Sequence, residues 1–206
     1  MAAEPAKILE LREMITQKEG RHTHERFASS TLSCGVPRGA LTEVSGSAKT
    51  EWLIQFLREN PSLKVFWAEV RFSLLPTALH QRGVDASRLL FAECGDELFS
   101  AVRMALRCQV FQCIVSPSIY REEKMLKALQ LLAEKSNATV FLLTEELQSA
   151  WPIKLQFGVK RGILGKGFEI ELKKNKGGEV SAPASFPTPV LTETEETFSA
   201  LSEEVT

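Results

Sequence analysis

The stretch GALTEVSGSAKTEWLIQFLREN, running from Gly39 to Asn60, decides the fold. Ala40–Val44 is a short apolar run that reads as a buried strand. Gly46 opens a tight turn, and Lys49–Arg58 follows as a helix with Trp52, Leu53, Phe56 and Leu57 on one inward stripe. Strand, glycine turn and helix is the arrangement that cradles phosphate. Glycines let backbone N–H groups curl around the oxygens, and the helix start adds positive potential. A working G-x-x-x-x-G-K-[ST] loop also needs a Lys for the outer phosphates and a hydroxyl for Mg²⁺. Lys49 and Thr50 fill those two places, but Ala48 stands where the second Gly belongs and Glu43 where the first would fall. Only Gly46 remains, and a Cβ at Ala48 hinders a backbone that needs positive φ. Two readings stay open. One is weak residual ATP binding through Gly46, Lys49, Thr50 and the helix start. The other is a strand-to-helix turn with a solvated Lys.

The rest of the chain repeats the alternation. Strands are expected at Leu63–Glu69, Ser87–Ala92, Val110–Val115 and Thr139–Leu143, and helices at Leu74–Arg82, Asp96–Arg107 and Glu122–Lys135. Gly83 is a natural end for the first of these helices. On the second, Leu98, Val102, Ala105 and Leu106 face inward, and on the third Met125, Leu129 and Leu132. Short apolar strands alternating with helices imply an α/β fold, a parallel sheet covered on both faces. After Trp151-Pro152 the pattern changes: Ile153–Lys160 and Gly167–Lys173 alternate apolar and polar residues around a glycine-rich turn, which predicts a C-terminal antiparallel hairpin extending the sheet.

The ends differ from this core. Residues 4–18 carry Ile8, Leu11 and Ile15 at helical spacing, a short amphipathic helix suited to docking or self-association. Gly20–Ser33 is polar and reads as a loose linker; its His22 and His24 lack the further ligands a metal site needs. From Gly177 to Thr206 the chain is rich in Pro, Ser, Thr and Glu and reads as a disordered tail, with Phe198 and Leu201 as a motif a partner can capture. The expected division is therefore 1–33 (N-terminal helix and linker), 34–176 (core) and 177–206 (acidic tail).

At 206 residues, 44% hydrophobic and 25% charged, the composition is that of an ordinary soluble domain. No apolar run is long enough to span a bilayer. The N-terminus has no apolar h-region, so the cytoplasm is the expected location. Cys34, Cys94, Cys108 and Cys113 form no C-x-x-C pair and are expected to be mostly buried free thiols, with no metal site. The 25 basic and 26 acidic residues give a net −1, yet six of the acids and none of the bases lie in the tail. Residues 1–176 therefore carry +5. Among the bases, Lys154, Lys160, Arg161, Lys166, Lys173, Lys174 and Lys176 belong to the hairpin. They read either as a nucleic-acid or partner surface or as a solvated strand face. Tyr120 and Trp151 are candidates to stack on bases or to pack.

Five segments, in this order and spacing, resemble the RecA-like recombinase core: PRGALTEVSG (37–46), FWAEVRFSLLPTALHQRGVDASRLL (66–90), AVRMALRCQVFQCIVSPS (101–118), LQLLAEKSNATVFLLTEE (129–146) and FEIELKKNKGG (168–178). Together they span about two-thirds of the chain. Within that family the chain is most similar to the degenerate bacterial ImuA and SulA branches. The resemblance places Lys49 and Thr50 at the Walker A lysine and hydroxyl, in a shortened loop, and Glu69 at the water-activating carboxylate. The Mg²⁺-linked Asp should follow Ile114-Val115, where Ser116-Pro117 stands instead. Phosphoryl transfer depends on positioning and metal electrostatics, so two losses imply no enzymatic activity. Likeness to ImuA implies an adaptor in damage-induced (SOS) translesion DNA repair. Its partners would be a Y-family polymerase-like protein, an error-prone polymerase or RecA, with DNA contact possible. Likeness to SulA implies instead an inhibitor binding the tubulin-like division protein. A third expectation is a DNA-dependent ATPase with an unusual loop. The loops that hold single-stranded DNA in RecA correspond to SPSIYREEK (116–124) and TEELQSAWP (144–152), and the second is acidic.

Overall fold

The computed structural model describes residues 25–120, 122–162, 167–176 and 184–186. The amphipathic segment 4–18, His22, His24 and Lys166 lie outside the described residues.

The strands are β1 (Arg26–Phe27), β2 (Val36–Pro37), β3 (Leu41–Ser45), β4 (Val65–Glu69), β5 (Leu89–Glu93), β6 (Cys113–Pro117), β7 (Thr139–Thr144), β8 (Leu155–Arg161), β9 (Phe168–Asn175) and β10 (Ala184–Phe186). The helices are α1 (Lys49–Glu59), α2 (Pro76–Gln81), α3 (Leu98–Cys108) and α4 (Glu123–Ser136). One eight-stranded sheet has the order β10-β9-β8-β3-β7-β6-β4-β5, and β1 and β2 form a separate ribbon. From β5 to β8 every neighbouring pair is parallel; β8–β9 and β9–β10 are antiparallel. This is the α/β sheet with a C-terminal hairpin that the sequence pattern predicts.

Alternation along the strands sorts side chains onto two faces. Val44, Trp67, Val115, Phe141 and Phe157 join Trp52, Leu53, Phe56 and Leu57 of α1 and Leu79 of α2 in one buried cluster. Leu41, Phe66, Ile114, Val140 and Leu142 join Leu98, Val102, Ala105 and Leu106 of α3 and Leu126, Leu129 and Ala133 of α4 in the other. Trp52 is the hub of the first. It stacks on Phe56 at 5.7 Å and meets Phe157 edge-on at 4.7 Å. Burying an aromatic of this size contributes on the order of 4–6 kcal/mol.

The fourth expected strand, Val110–Val115, is found at Cys113–Pro117, and three other features depart from the sequence reading for physical reasons. In α1, six consecutive residues, Trp52 to Leu57, are buried, more than one amphipathic stripe needs. The segment 25–33, read as a loose linker, covers its outer side. Thr31 Oγ1 accepts the Trp52 indole N–H at 2.7 Å, Phe27 packs edge-on against Phe56, and Ser30 binds Glu59. Its polar residues are there to satisfy polar groups on the helix. Second, α2 begins only at Pro76, because the residue before a proline is driven out of the helical region. Third, within the segment read as disordered tail, Ala184–Phe186 pair antiparallel with β9. An unpaired strand edge offers free N–H and C=O groups, and this segment takes them up. The thiols also differ from expectation: only Cys113 is buried, and Cys108 is exposed. No described helix is long and apolar enough to cross a membrane.

Candidate functional site

In a parallel sheet the loops beyond the carboxyl ends of the strands build the cleft. Here they enclose a pocket of about 400 Å³ lined by Lys49, Thr50, Glu69, Arg71, Ser73, Ser116 and Glu145 over an apolar floor of Trp67, Val115 and Leu143. Lys49, Thr50 and Glu69, assigned to nucleotide chemistry from the sequence, thus come together. Their individual geometry is less accommodating to phosphate.

Gly46 has φ +98°, and a Cβ there would lie 2.2 Å from the Val159 carbonyl oxygen. This glycine is required by the close approach of β8. Two of the backbone N–H groups that a phosphate loop would aim outward are engaged internally. Ala48 N–H donates to Val159 O and Lys49 N–H to Gly46 O, both at 3.3 Å. Ala48 is buried. Glu51, in the first turn of α1, opposes anion binding there and pairs with Arg161 and, at 3.5 Å, with Arg82. Lys49 Nζ lies 2.6 Å from Glu145 Oε1, so a carboxylate holds the place an outer phosphate would take. Glu145 follows β7 in the acidic loop 144–152; its acidity is visible in the sequence, its pairing with Lys49 is not.

Glu69 is similarly occupied. It accepts the Trp67 indole N–H at 2.9 Å and both the backbone N–H and the hydroxyl of Ser73, at 2.6 and 3.0 Å. A carboxylate that caps a turn in this way has few lone pairs left to activate water. At the end of β6, Ser116 Oγ pairs with the Tyr120 hydroxyl at 2.7 Å. Tyr120 is wholly buried, which pushes its phenol up to about 12 and removes it as a base-stacking candidate. Arg71 alone among the pocket's charged side chains has no hydrogen-bond or ion-pair partner among the described residues.

On the opposite side of the sheet sits a group the sequence reading missed. Glu43, at the centre of β3, is fully buried. Its Oε2 accepts from Gln156 Nε2 at 2.6 Å and from Gln148 N–H at 3.0 Å; its Oε1 accepts from Ser118 Oγ at 3.3 Å. Strand register sets Glu43, Gln156 and Lys174 in one row across β3, β8 and β9. Burial pushes the carboxyl above its ordinary range, against the lowering effect of those hydrogen bonds and of Lys174. A lone Glu in an apolar strand of the sequence was the signal, but it was spent on the position of a missing loop glycine.

The hairpin bases do not share one face. Lys154 pairs with Glu134 at 3.2 Å, Lys173 with Glu171, and Arg161 with Glu51. A bulge between Gln156 and Phe157 leaves Lys173 unmatched across the ladder and breaks the simple alternation. Lys174 Nζ donates to Ala150 O at 2.7 Å, and Lys176 lies 4.3 Å over the ring of the exposed Trp151. Lys154, Lys174 and Lys176 stand close enough that burial, then repulsion from Lys174 and Lys154, draws the Lys176 amine below its usual range. Lys160 is exposed at the other end of β8. No group of three or more potential metal-ligating side chains occurs among the described residues.

No protein-family model matches the sequence, and no curated protein sequence matches it. Among solved structures, the chain is similar to that of the RadB recombinase, with a TM-score of 0.58 and 17% sequence identity over 76% of this chain and 90% of that one. The fold is therefore RecA-like.

Proposed function

We propose that this chain is a non-catalytic RecA-like adaptor, working in damage-induced DNA repair and translesion synthesis through protein contacts. The observation that carries the non-catalytic part is the Lys49–Glu145 pair over a loop in which the Ala48 and Lys49 N–H groups are closed on backbone carbonyls. Catalysis of phosphoryl transfer needs a cradled phosphate, a held metal and a free water-orienting group. The pocket offers a neutralised lysine, Ser116-Pro117 where the metal carboxylate belongs, and a Glu69 tied to Trp67 and Ser73. The repair context rests on the RecA-like fold together with the sequence likeness to ImuA. That likeness names the expected partners: a Y-family polymerase-like protein, an error-prone polymerase, or RecA.

The test is recovery of bound proteins from DNA-damaged cells, with the full chain as bait and with and without MgATP. An error-prone polymerase or its Y-family partner, retained irrespective of nucleotide, is the expected result. Recovery of the tubulin-like division protein would replace this reading with a SulA-like one. Measurable ATP turnover by the purified chain would restore the ATPase.

A further inference from the structure

The pocket at the carboxyl end of the sheet sets two cations, Lys49 and Arg71, beside the carboxylates of Glu69 and Glu145, and one segment of this chain both carries carboxylates and starts within reach of it. We propose that residues 187–206 dock in the chain's own pocket, with a glutamate of the 193–196 run on Lys49 and Arg71 and Phe198 against the partly exposed Leu143. This rests on the reading that the pocket is not a nucleotide site.

The first support is the pocket's chemistry. Its two cations are Lys49 and Arg71. The first already holds a carboxylate, and the second has no partner among the described residues. The Ala48 and Lys49 N–H groups, two of the donors that would cradle a phosphate, are engaged internally. Glu145 is itself a surface side chain, 86% exposed, so its exchange for another carboxylate costs little.

The second support is where the tail begins. Phe186 pairs with Phe168, Phe168 with Arg161, and Arg161 ends β8, which runs parallel to β3. The chain therefore leaves β10 at the same end of the sheet as the pocket. From β10 to β7 and β6 is four to five strand spacings, roughly 19–24 Å. Glu193 to Glu196 follow Phe186 by seven to ten residues, a reach of up to about 23–33 Å.

The third support is charge and pattern. Residues 187–206 hold five glutamates and no Lys or Arg, with Phe198 and Leu201 among them. Against a body of +5 this is the complementary partner, and tethering raises its effective concentration.

Zero-length carbodiimide cross-linking of the full chain, read by mass spectrometry, tests this directly. The expected product joins Lys49 to Glu193, Glu195 or Glu196 within one chain, as shown by mixing isotope-labelled and unlabelled protein. Glu145→Gln should raise its yield about threefold by removing the competitor. The combined variant Glu193→Gln, Glu195→Gln, Glu196→Gln, confined to the tail, should speed acetylation of Lys49 by about threefold. Tail glutamates joined only to hairpin lysines, joined only between chains, or a Lys49 reactivity that does not change would each overturn the proposal. Millimolar MgATP separates the two ways of failing. If the cross-link is absent and MgATP protects Lys49 from acetylation, the non-nucleotide reading falls as well. If it is absent and MgATP gives no protection, only the tail docking falls.

Discussion

Replacing Glu43 by Gln and by Leu separates a buried charge from the hydrogen bonds it makes. Both donors on Oε2, the Gln148 N–H and Gln156 Nε2, can be kept by an amide oxygen in that place, and the amide nitrogen then faces the Ser118 hydroxyl, which can accept. Glu43→Gln should therefore change stability at neutral pH by no more than about 1 kcal/mol. Glu43→Leu strips both donors of their acceptor. A buried unsatisfied donor costs about 1–3 kcal/mol. Gln156 Nε2 retains the Gln148 carbonyl at 2.5 Å, so the total should fall near 2–4 kcal/mol, or about 5–15 °C in melting temperature for a chain of this size. The pH dependence has a definite sign. Burial raises the folded-state pKa of Glu43 above that of the unfolded chain. The native state then holds this proton more tightly, so its contribution is fully present below the ordinary carboxylate range and is lost as pH rises through the folded-state value. Thermal melts followed by circular dichroism from about pH 4 to about pH 8 should show wild type losing ground to Glu43→Gln with rising pH. A Gln variant as damaged as the Leu variant, or a wild-type advantage that grows with pH, would refute the reasoning.

Three further outcomes are expected. Gly46→Ala forces a Cβ into the Val159 carbonyl at positive φ and should cost at least about 2 kcal/mol, visible as a lower urea midpoint; an unchanged midpoint would mean that β8 moves away freely. Lys49→Ala removes only an ion pair with an exposed partner, so stability should shift by less than about 1 kcal/mol and activity in cells should persist; loss of activity in a stably folded variant would contradict the non-catalytic reading. Removing residues 187–206 undocks only a tethered surface segment and should lower the melting temperature by no more than about 2 °C, whereas removing 177–206 also takes β10 from the edge of β9 and should lower it by a few degrees more while preserving the fold; equal melting temperatures for the two truncations would show that this pairing contributes nothing.

Much of the architecture was legible because apolar runs and punctuation agreed. The α3 stripe Leu98, Val102, Ala105 and Leu106 is the buried set found, and β3, β7, β8 and β9 fall within two residues of expectation. What failed was long-range. Nothing local announces that Thr31 will receive the indole N–H of Trp52, twenty-one residues on. Nor does anything local place Glu145 beside Lys49 across ninety-six residues, or Glu43 beside Gln148 and Gln156. Polar residues in such places look like loop or solvent-facing positions until the sheet order is known. The hairpin lysines show the same limit: alternation holds only until a bulge resets it, and the bulge has no glycine to mark it.

The position of β3 has a consequence for how the molecule is made. It is the first strand of the sheet to be synthesised, yet its neighbours are β7 and β8, about a hundred residues later. On a ribosome adding roughly 5–20 residues per second, β3 waits on the order of 5–20 s for a partner. During that time LTEVS shows both bare edges, and Glu43 stays hydrated, its charge working against premature pairing with other apolar strands. The carboxylate that is costly in the finished core then serves as a solubilising gatekeeper in the nascent chain.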